Sequence, residues 1–143
     1  MAGKEFRVSC YVLLRNKAGQ VLLLQRPSNP AKVFPGKWEL PGGKGAPGEP
    51  ASGTAIREAL EETGLHVSLE RLGGAVEFGI PGKAFRGVML VFEGTAASDE
   101  VVLDEEHQAF AWVDPGELLK RDLTDPLRRF VESRFGREKR QGR

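Results

Sequence analysis

Three glutamates within five residues, Glu58, Glu61 and Glu62, give this sequence its first chemical signal. At i, i+3 and i+4 they crowd one side of a helix, where like charges cost about 0.2–0.5 kcal/mol per pair. No lysine is nearby in the stretch, and only Arg57 offsets them. A cation held against the acids would relieve the repulsion. Carboxylate oxygens are hard ligands suited to Mg²⁺ or Mn²⁺, ions that keep several waters and bridge to substrate phosphates. Taken alone, the same three residues also fit a plain solvated face.

The elements that must position these acids are a loop and a helix. Residues 41–49 hold four glycines and two prolines, which exclude regular structure. The residues after Pro50 are good helix formers and Gly64 offers a C-terminal cap, so a helix is expected over 51–63. A helical wheel puts Ala55, Ile56, Ala59 and Leu60 on one arc, read as the buried face, and the three glutamates opposite.

Spacing adds specificity. Gly43, five residues, Glu49, seven residues, then Arg57-Glu58-x-x-Glu61-Glu62-x-Gly64-Leu65 resembles the complete signature of the Nudix hydrolases, with its charged and glycine positions all filled. Ala59 departs from the strict pattern, which asks there for a bulky apolar residue. The preceding Trp38-Glu39-Leu40-Pro41-Gly42 is also similar to the family. The resemblance reaches most of the chain in the order of its elements, and only the box in residue identity.

That resemblance implies hydrolysis of a diphosphate linkage, usually in a nucleoside diphosphate joined to some group X, by water attacking phosphorus. It implies Glu58, Glu61 and Glu62 as metal ligands, with the Gly42 carbonyl as a fourth and Glu62 shared between ions. Glu49 and Arg57 would hold the ligands in place. Glu106, six residues before Trp112, would complete the site or act as base, with Glu105 next in line; an ordinary acidic loop is the alternative. For X, the short chain is similar to MutT-like hydrolases of (deoxy)nucleoside triphosphates. Pro81, sixteen residues beyond Leu65, is the mark of ADP-ribose pyrophosphatases, though Pro81-Gly82 also makes an ordinary turn. A non-catalytic nucleotide sensor would have lost box acids that this chain keeps. Isopentenyl diphosphate isomerase chemistry would want a cysteine in the site.

Other residues are less specific. Arg26 ends a strand pointing toward the box and fits either a phosphate or the surface. Trp38, Phe78, Phe85 and Phe110 fit a stacking site for a base or the core. His66 and His107 lack metal-ligand spacing with another His or Cys and are left unassigned.

At 143 residues the chain suits one domain, with 1–135 as its body and 136–143 as a basic tail. A net charge of +1 with interspersed signs gives no footprint for extended nucleic acid, so a small nucleotide is the expected partner. Cys10 is single and reads as a small core residue, which fits a reducing compartment. No signal peptide is evident and the longest apolar run, 21–24, cannot span a bilayer, so a soluble cytoplasmic protein is expected. A homodimer is allowed, as in many relatives. Alternation over residues 6–14 predicts a strand, the two-sided apolar run 21–24 a central strand in hairpin with it, and 27–36 a surface loop that could gate the site. Strand segments follow over 67–72, 75–80, 88–92 and 109–113, with a hairpin across Pro81. Asp114 and Asp125, each followed by proline, read as helix caps. The interleaving predicts a mixed sheet covered on both faces, the α/β/α sandwich that the resemblance implies.

Overall fold

Strands that are apolar on both faces need cover on both faces, and this requirement sets the layers. The protein was analysed as a computed structural model, which describes residues 5–80 and 82–136. Strand β1 (Glu5–Arg15) sends Cys10, Val12 and Leu14 to one buried cluster and Leu13 to a second. Strand β2 (Val21–Gln25) divides likewise, Leu22 and Leu24 joining the first cluster and Val21 and Leu23 the second. Helix α1 (Ala51–Thr63) covers the first with Ala55 and Ala59. A 3-10 helix (Pro115–Lys120) and helix α2 (Asp125–Val131) cover the second with Leu118, Leu127, Phe130 and Val131, and a π turn (Glu132–Gly136) adds Phe135 at its edge. The result is the expected α/β/α sandwich. The first half of β1 departs from the alternation reading: Phe6 is 66% and Val8 43% exposed, because neither cluster extends that far.

The sheet forks at β1. On one side β1 pairs in parallel with β6 (Phe85–Ala96), from Glu5↔Phe85 to Arg15↔Thr95, and β6 pairs with antiparallel β5 (Val67–Gly79). On the other side β1 is shared. Ser9, Cys10 and Tyr11 pair with β4 (Gly42–Lys44), while Arg15 pairs with Val21 of β2. The expected hairpin therefore exists only at its mouth, and β2 diverges to pair with β3 (Trp38–Glu39) and β7 (Ala109–Val113). Between β3 and β4 the chain crosses the fork at Leu40 and Pro41, pinned by the Val12 N–H donating to the Pro41 carbonyl at 2.9 Å.

Two strand segments expected over 67–80 are one continuous strand, β5, with bulges between Leu69 and Arg71 and between Leu72 and Gly74. Glu93 explains the bend. A Cβ on Gly73 would lie 2.9 Å from the Glu93 side chain, so β5 bulges around an acid that is only 1% exposed. Glu93 is held by Arg15 at 3.1 Å, Arg71 at 2.9 Å and Arg134 at 3.3 Å, which ties β1, β5, β6 and the π turn together. Burial alone would raise its pKa, but the Arg15 and Arg134 hydrogen bonds and the surrounding guanidinium charge hold it below the usual carboxylate range.

The two expected caps also differ. Asp114 precedes a 3-10 rather than an α-helix and makes no side-chain cap bond. The second helix is capped at Thr124, with Asp125 and Pro126 already inside its first turn. Among the described residues no helix is long and apolar enough to cross a membrane. Apart from Gly136, the expected tail lies outside the described residues.

Because Glu93 has its pKa lowered, its contribution to stability is present above the unfolded value and lost as pH falls through the folded one. Glu93→Gln should cost about 3–5 kcal/mol at pH 7, the scale for breaking a buried pair. Denaturation curves at pH 7 and pH 3.5 should show that gap shrinking at the lower pH; an equal gap at both would remove the charge from the explanation.

Candidate active site

Helix α1 ends at Gly64, whose left-handed backbone (φ 73°) lets its N–H close on the Leu60 carbonyl at 2.9 Å. The last turn of any helix leaves carbonyls without intrahelical partners. Here the segment ahead of β7 supplies them. The Val102 N–H donates to the Thr63 carbonyl at 2.9 Å and the Asp104 N–H to the Glu62 carbonyl at 3.2 Å. Gln108 N–H anchors the far end of the segment on Gln25 at 2.9 Å. Asp104, Glu105, Glu106 and His107 are thereby laid beside the box.

The wheel reading of α1 needs correction. Its buried residues are Thr54, Ala55, Ala59, Glu62 and Thr63, while Ile56 and Leu60 are 40% and 39% exposed. At about 100° per residue Glu62 falls roughly 20° from Ala55, on the side that packs against β1 and β4. Small alanines on this side let the helix approach the sheet closely. The three box acids therefore sit at different depths, Glu62 buried, Glu58 half-buried and Glu61 exposed.

Each depth has its own partner. Glu62 Oε1 accepts the Gly42 N–H at 2.9 Å. Burial drives its pKa up to about 9, opposed by Gly42 and His107 and reinforced by Glu39 and Glu58. A Cβ on Gly42 would overlap the Cys10 carbonyl and Tyr11, and one on Gly43 would sit 2.7 Å from a Glu58 carboxylate oxygen, so both glycines let β4 backbone reach the acids. Arg57 gathers the rest. Its Nε and Nη2 donate to the two Glu49 oxygens at 2.7 and 3.0 Å, and its Nη1 donates to Glu58 at 3.0 Å and Glu61 at 2.9 Å. Hydrogen bonds from Arg57, Thr54 and the Ala46 N–H hold the Glu49 pKa down at about 2. The Glu58 pKa is raised by burial in spite of Arg57.

A second cluster was missed in the sequence. His107 lies between Asp104, 2.8 Å from Nδ1, and Glu39, 2.8 Å from Nε2. Burial opposes its charge, but the Glu39 and Asp104 carboxylates raise its pKa to about 9. In its charged form the ring donates from both nitrogens, to Asp104 and to Glu39. Glu62, Asp104 and His107 offer ligand atoms within 4.8 Å of one another. A search for paired His or Cys spacing could not find this group, because Glu39 stands 68 residues away from His107. Arg26 is engaged here too, with Nη1 at 3.1 Å from Glu39 and Nε donating to the Val33 carbonyl at 2.7 Å.

These groups line a polar cavity of about 370 Å³ whose walls include Lys32, Glu39, Glu58, Glu62, Glu105 and Glu106. A less polar cavity of about 210 Å³ adjoins it, walled by Phe34, Phe78, Phe85 and Met89. Phe78 and Phe85 meet edge to face at 5.7 Å and Arg7 stands 5.0 Å over Phe85. Tyr11, Arg26, Glu39 and Lys44 belong to both cavities. Trp38 lines neither of these two and instead stacks beneath Arg121 at 5.0 Å; Phe110 lines neither as well. Cys10 is buried, and Pro81 lies outside the described residues. The loop 27–36 does reach the site, contributing Lys32 to the polar cavity and Val33 and Phe34 to the other.

A divalent cation fits this donor set. Glu62 is a buried carboxyl among acids, and removing its proton there needs a positive charge close by. Between pH 4.5 and about 9 folding takes up a proton at Glu62, so its contribution to stability falls as pH rises through that window. Glu62→Gln should therefore be more stable than the parent in chelator at pH 8, by about 1–3 kcal/mol, and so melt higher, while losing Mn²⁺ binding; a lower melting temperature would contradict the buried acid. Arg57→Ala should weaken Mn²⁺ binding about 10- to 100-fold, as loss of a ligand-orienting partner does, and unchanged affinity in a calorimetric titration would remove that role.

The NUDIX domain profile matches residues 5–133. A putative 8-oxo-dGTP diphosphatase of Bacillus subtilis (strain 168) is 33% identical over 109 residues, 76% of this chain and 66% of that protein. Nucleoside triphosphatase NudI of Escherichia fergusonii is 31% identical over 116 residues, 75% of this chain and 82% of its own. The crystal structure of the MutT protein from Methanosarcina mazei Go1 superposes with a TM-score of 0.82 at 37% identity, covering 95% of this chain and 96% of that one. A Caenorhabditis elegans Ap4A hydrolase, 23% identical with a TM-score of 0.74, shares the fold. A profile that runs through the fork, the box and the segment docked on α1, joined by relatives this similar over most of their length, means that the chain belongs to the NUDIX domain family.

Proposed function

We propose that the protein is a metal-dependent hydrolase of MutT type, which cleaves a (deoxy)nucleoside triphosphate to the monophosphate and pyrophosphate. One observation carries this reading: the carboxylate-lined cavity adjoins the aromatic one, the two sharing Tyr11, Arg26, Glu39 and Lys44 as a wall. A polyphosphate joined to a flat base has that division of chemistry, with an anionic chain that needs cations and a ring that stacks. The relatives named as a diphosphatase and a nucleoside triphosphatase support it.

The residues divide the work. Glu58, Glu61 and Glu62, with the Gly42 carbonyl, hold Mg²⁺ or Mn²⁺, and the cation supplies positive charge against the phosphate oxygens. Arg57, fixed by Glu49, keeps Glu58 and Glu61 in their rotamers. Lys32 and Lys44 make no ion pair among the described residues and stand free to meet phosphate. Arg26 is bound to Glu39 and to the Val33 carbonyl, so its part is to fix the loop that carries Lys32 and Phe34. Glu106, on the cavity wall, takes the proton of the attacking water, and Glu105 is the neighbour to test beside it. Phe85, with Phe78, faces the base. Cys10, a buried free thiol, suits a cytoplasmic enzyme.

Canonical and oxidised nucleoside triphosphates, ADP-ribose, dinucleoside polyphosphates and nucleotide sugars, each with and without Mg²⁺, should be compared by mass identification of products. The expected result is monophosphate and pyrophosphate from a triphosphate, only with the metal, and a fall of about 10²-fold or more in Glu106→Gln. Preferred cleavage of ADP-ribose would replace the substrate, and full activity in Glu106→Gln would remove that residue from the chemistry.

A further inference from the structure

Tyr11 shares with Lys44 a place on the common wall of the two cavities and a polar side-chain group that bonds nothing among the described residues, and of the two its group is neutral and carried on a ring. It belongs to both cavities, and its hydroxyl makes no hydrogen bond among the described residues. Arg26 and Glu39, its neighbours on that wall, are bonded to each other. No buried side-chain oxygen or nitrogen among the described residues lacks a partner, so the Tyr11 oxygen reaches open cavity rather than sealed core. The ring is fixed. Tyr11 pairs with Gly42 across β1 and β4 so tightly that a Cβ on Gly42 would strike it, and its ring packs against the cluster that includes Leu13, Leu40 and Met89.

We propose that the Tyr11 hydroxyl donates a hydrogen bond to an oxygen of the phosphate next to the sugar, holding the substrate where its anionic chain enters one cavity and its nucleoside the other. This rests on the nucleotide reading given above. The position suits a donor: the carboxyl groups of Glu39 and Glu58 line the same cavity, so a further acceptor there would offer a phosphate nothing to bind. A phenol ring locked by its packing loses little freedom on binding, which makes the hydroxyl a preorganised contact. The bond is available to substrate from the start and is not tied to the transition state, so it should show in KM more than in kcat.

Tyr11→Phe keeps the ring and removes only the donor. With the parent's best nucleoside triphosphate, KM should rise about tenfold with kcat changed less than about twofold, the scale of one hydrogen bond to a charged group. Melting temperature and Mn²⁺ affinity should match the parent. An unchanged KM in an active enzyme overturns the role of Tyr11 and leaves the nucleotide reading standing, as does a rise in KM accompanied by equal loss of Mn²⁺ affinity. A parent protein that neither cleaves nor binds any nucleotide of the panel overturns the reading, and the inference with it.

Discussion

One buried carboxyl governs the arrangement of this molecule. Glu62 lies on the side of α1 that faces β1 and β4, beside Ala55 and Ala59, which would otherwise make a plain packing face. An acid placed there must be answered, and the nearby chain answers it. Gly42 supplies an N–H because β4 carries no side chain at that point, and His107 brings a positive charge because its own segment is docked on the last carbonyls of the same helix. The strand crossing at Leu40 and Pro41 exists in the same place, putting Glu39 and Gly42 on either side of the fork.

The remaining charges form a hierarchy around it. Arg57 binds Glu58 and Glu61 of the box, while the buried His107 ring lies between Glu39 and Asp104 outside it. The proximity of like charges is tolerated where a cation is shared between them, as Arg57 is by Glu49, Glu58 and Glu61 and His107 by Glu39 and Asp104. Glu93 repeats the principle at a distance from the cavities, with three arginines joining the sheet to the last turn of chain. That cluster holds the frame; the Glu62 cluster leaves a gap that a divalent ion fits.

Much of this was legible in residue order. The two-sided run at 21–24, the limits of α1 and the glycine after it follow from local rules, and they are found as read. The acids of the box follow from spacing, and the structure joins Glu49, Glu58 and Glu61 through Arg57 while Glu62 bonds Gly42 instead. Depth is not legible from residue type: Ile56 and Leu60 are apolar yet exposed, while Glu62 is charged in type yet buried on the arc of Ala55 and Ala59. His107 and Tyr11 could not be found at all from spacing. Their importance depends on Glu39 and Gly42, brought beside them by strand pairing across many residues. The fork itself has no local signature, since Val21 starts a hairpin with Arg15 and then leaves it for β7.

The most direct test of this account is the ionisation of Glu62, followed by carboxyl-carbon NMR of the metal-free protein over a pH titration and then with saturating Mg²⁺. Burial should keep Glu62 protonated at neutral pH, titrating near 9, and the cation should strip the proton at pH 7. A metal-free Glu62 that titrates near 4.5, unmoved by Mg²⁺, would mean that the acid is neither buried nor a ligand, and the metal-centred account would fall.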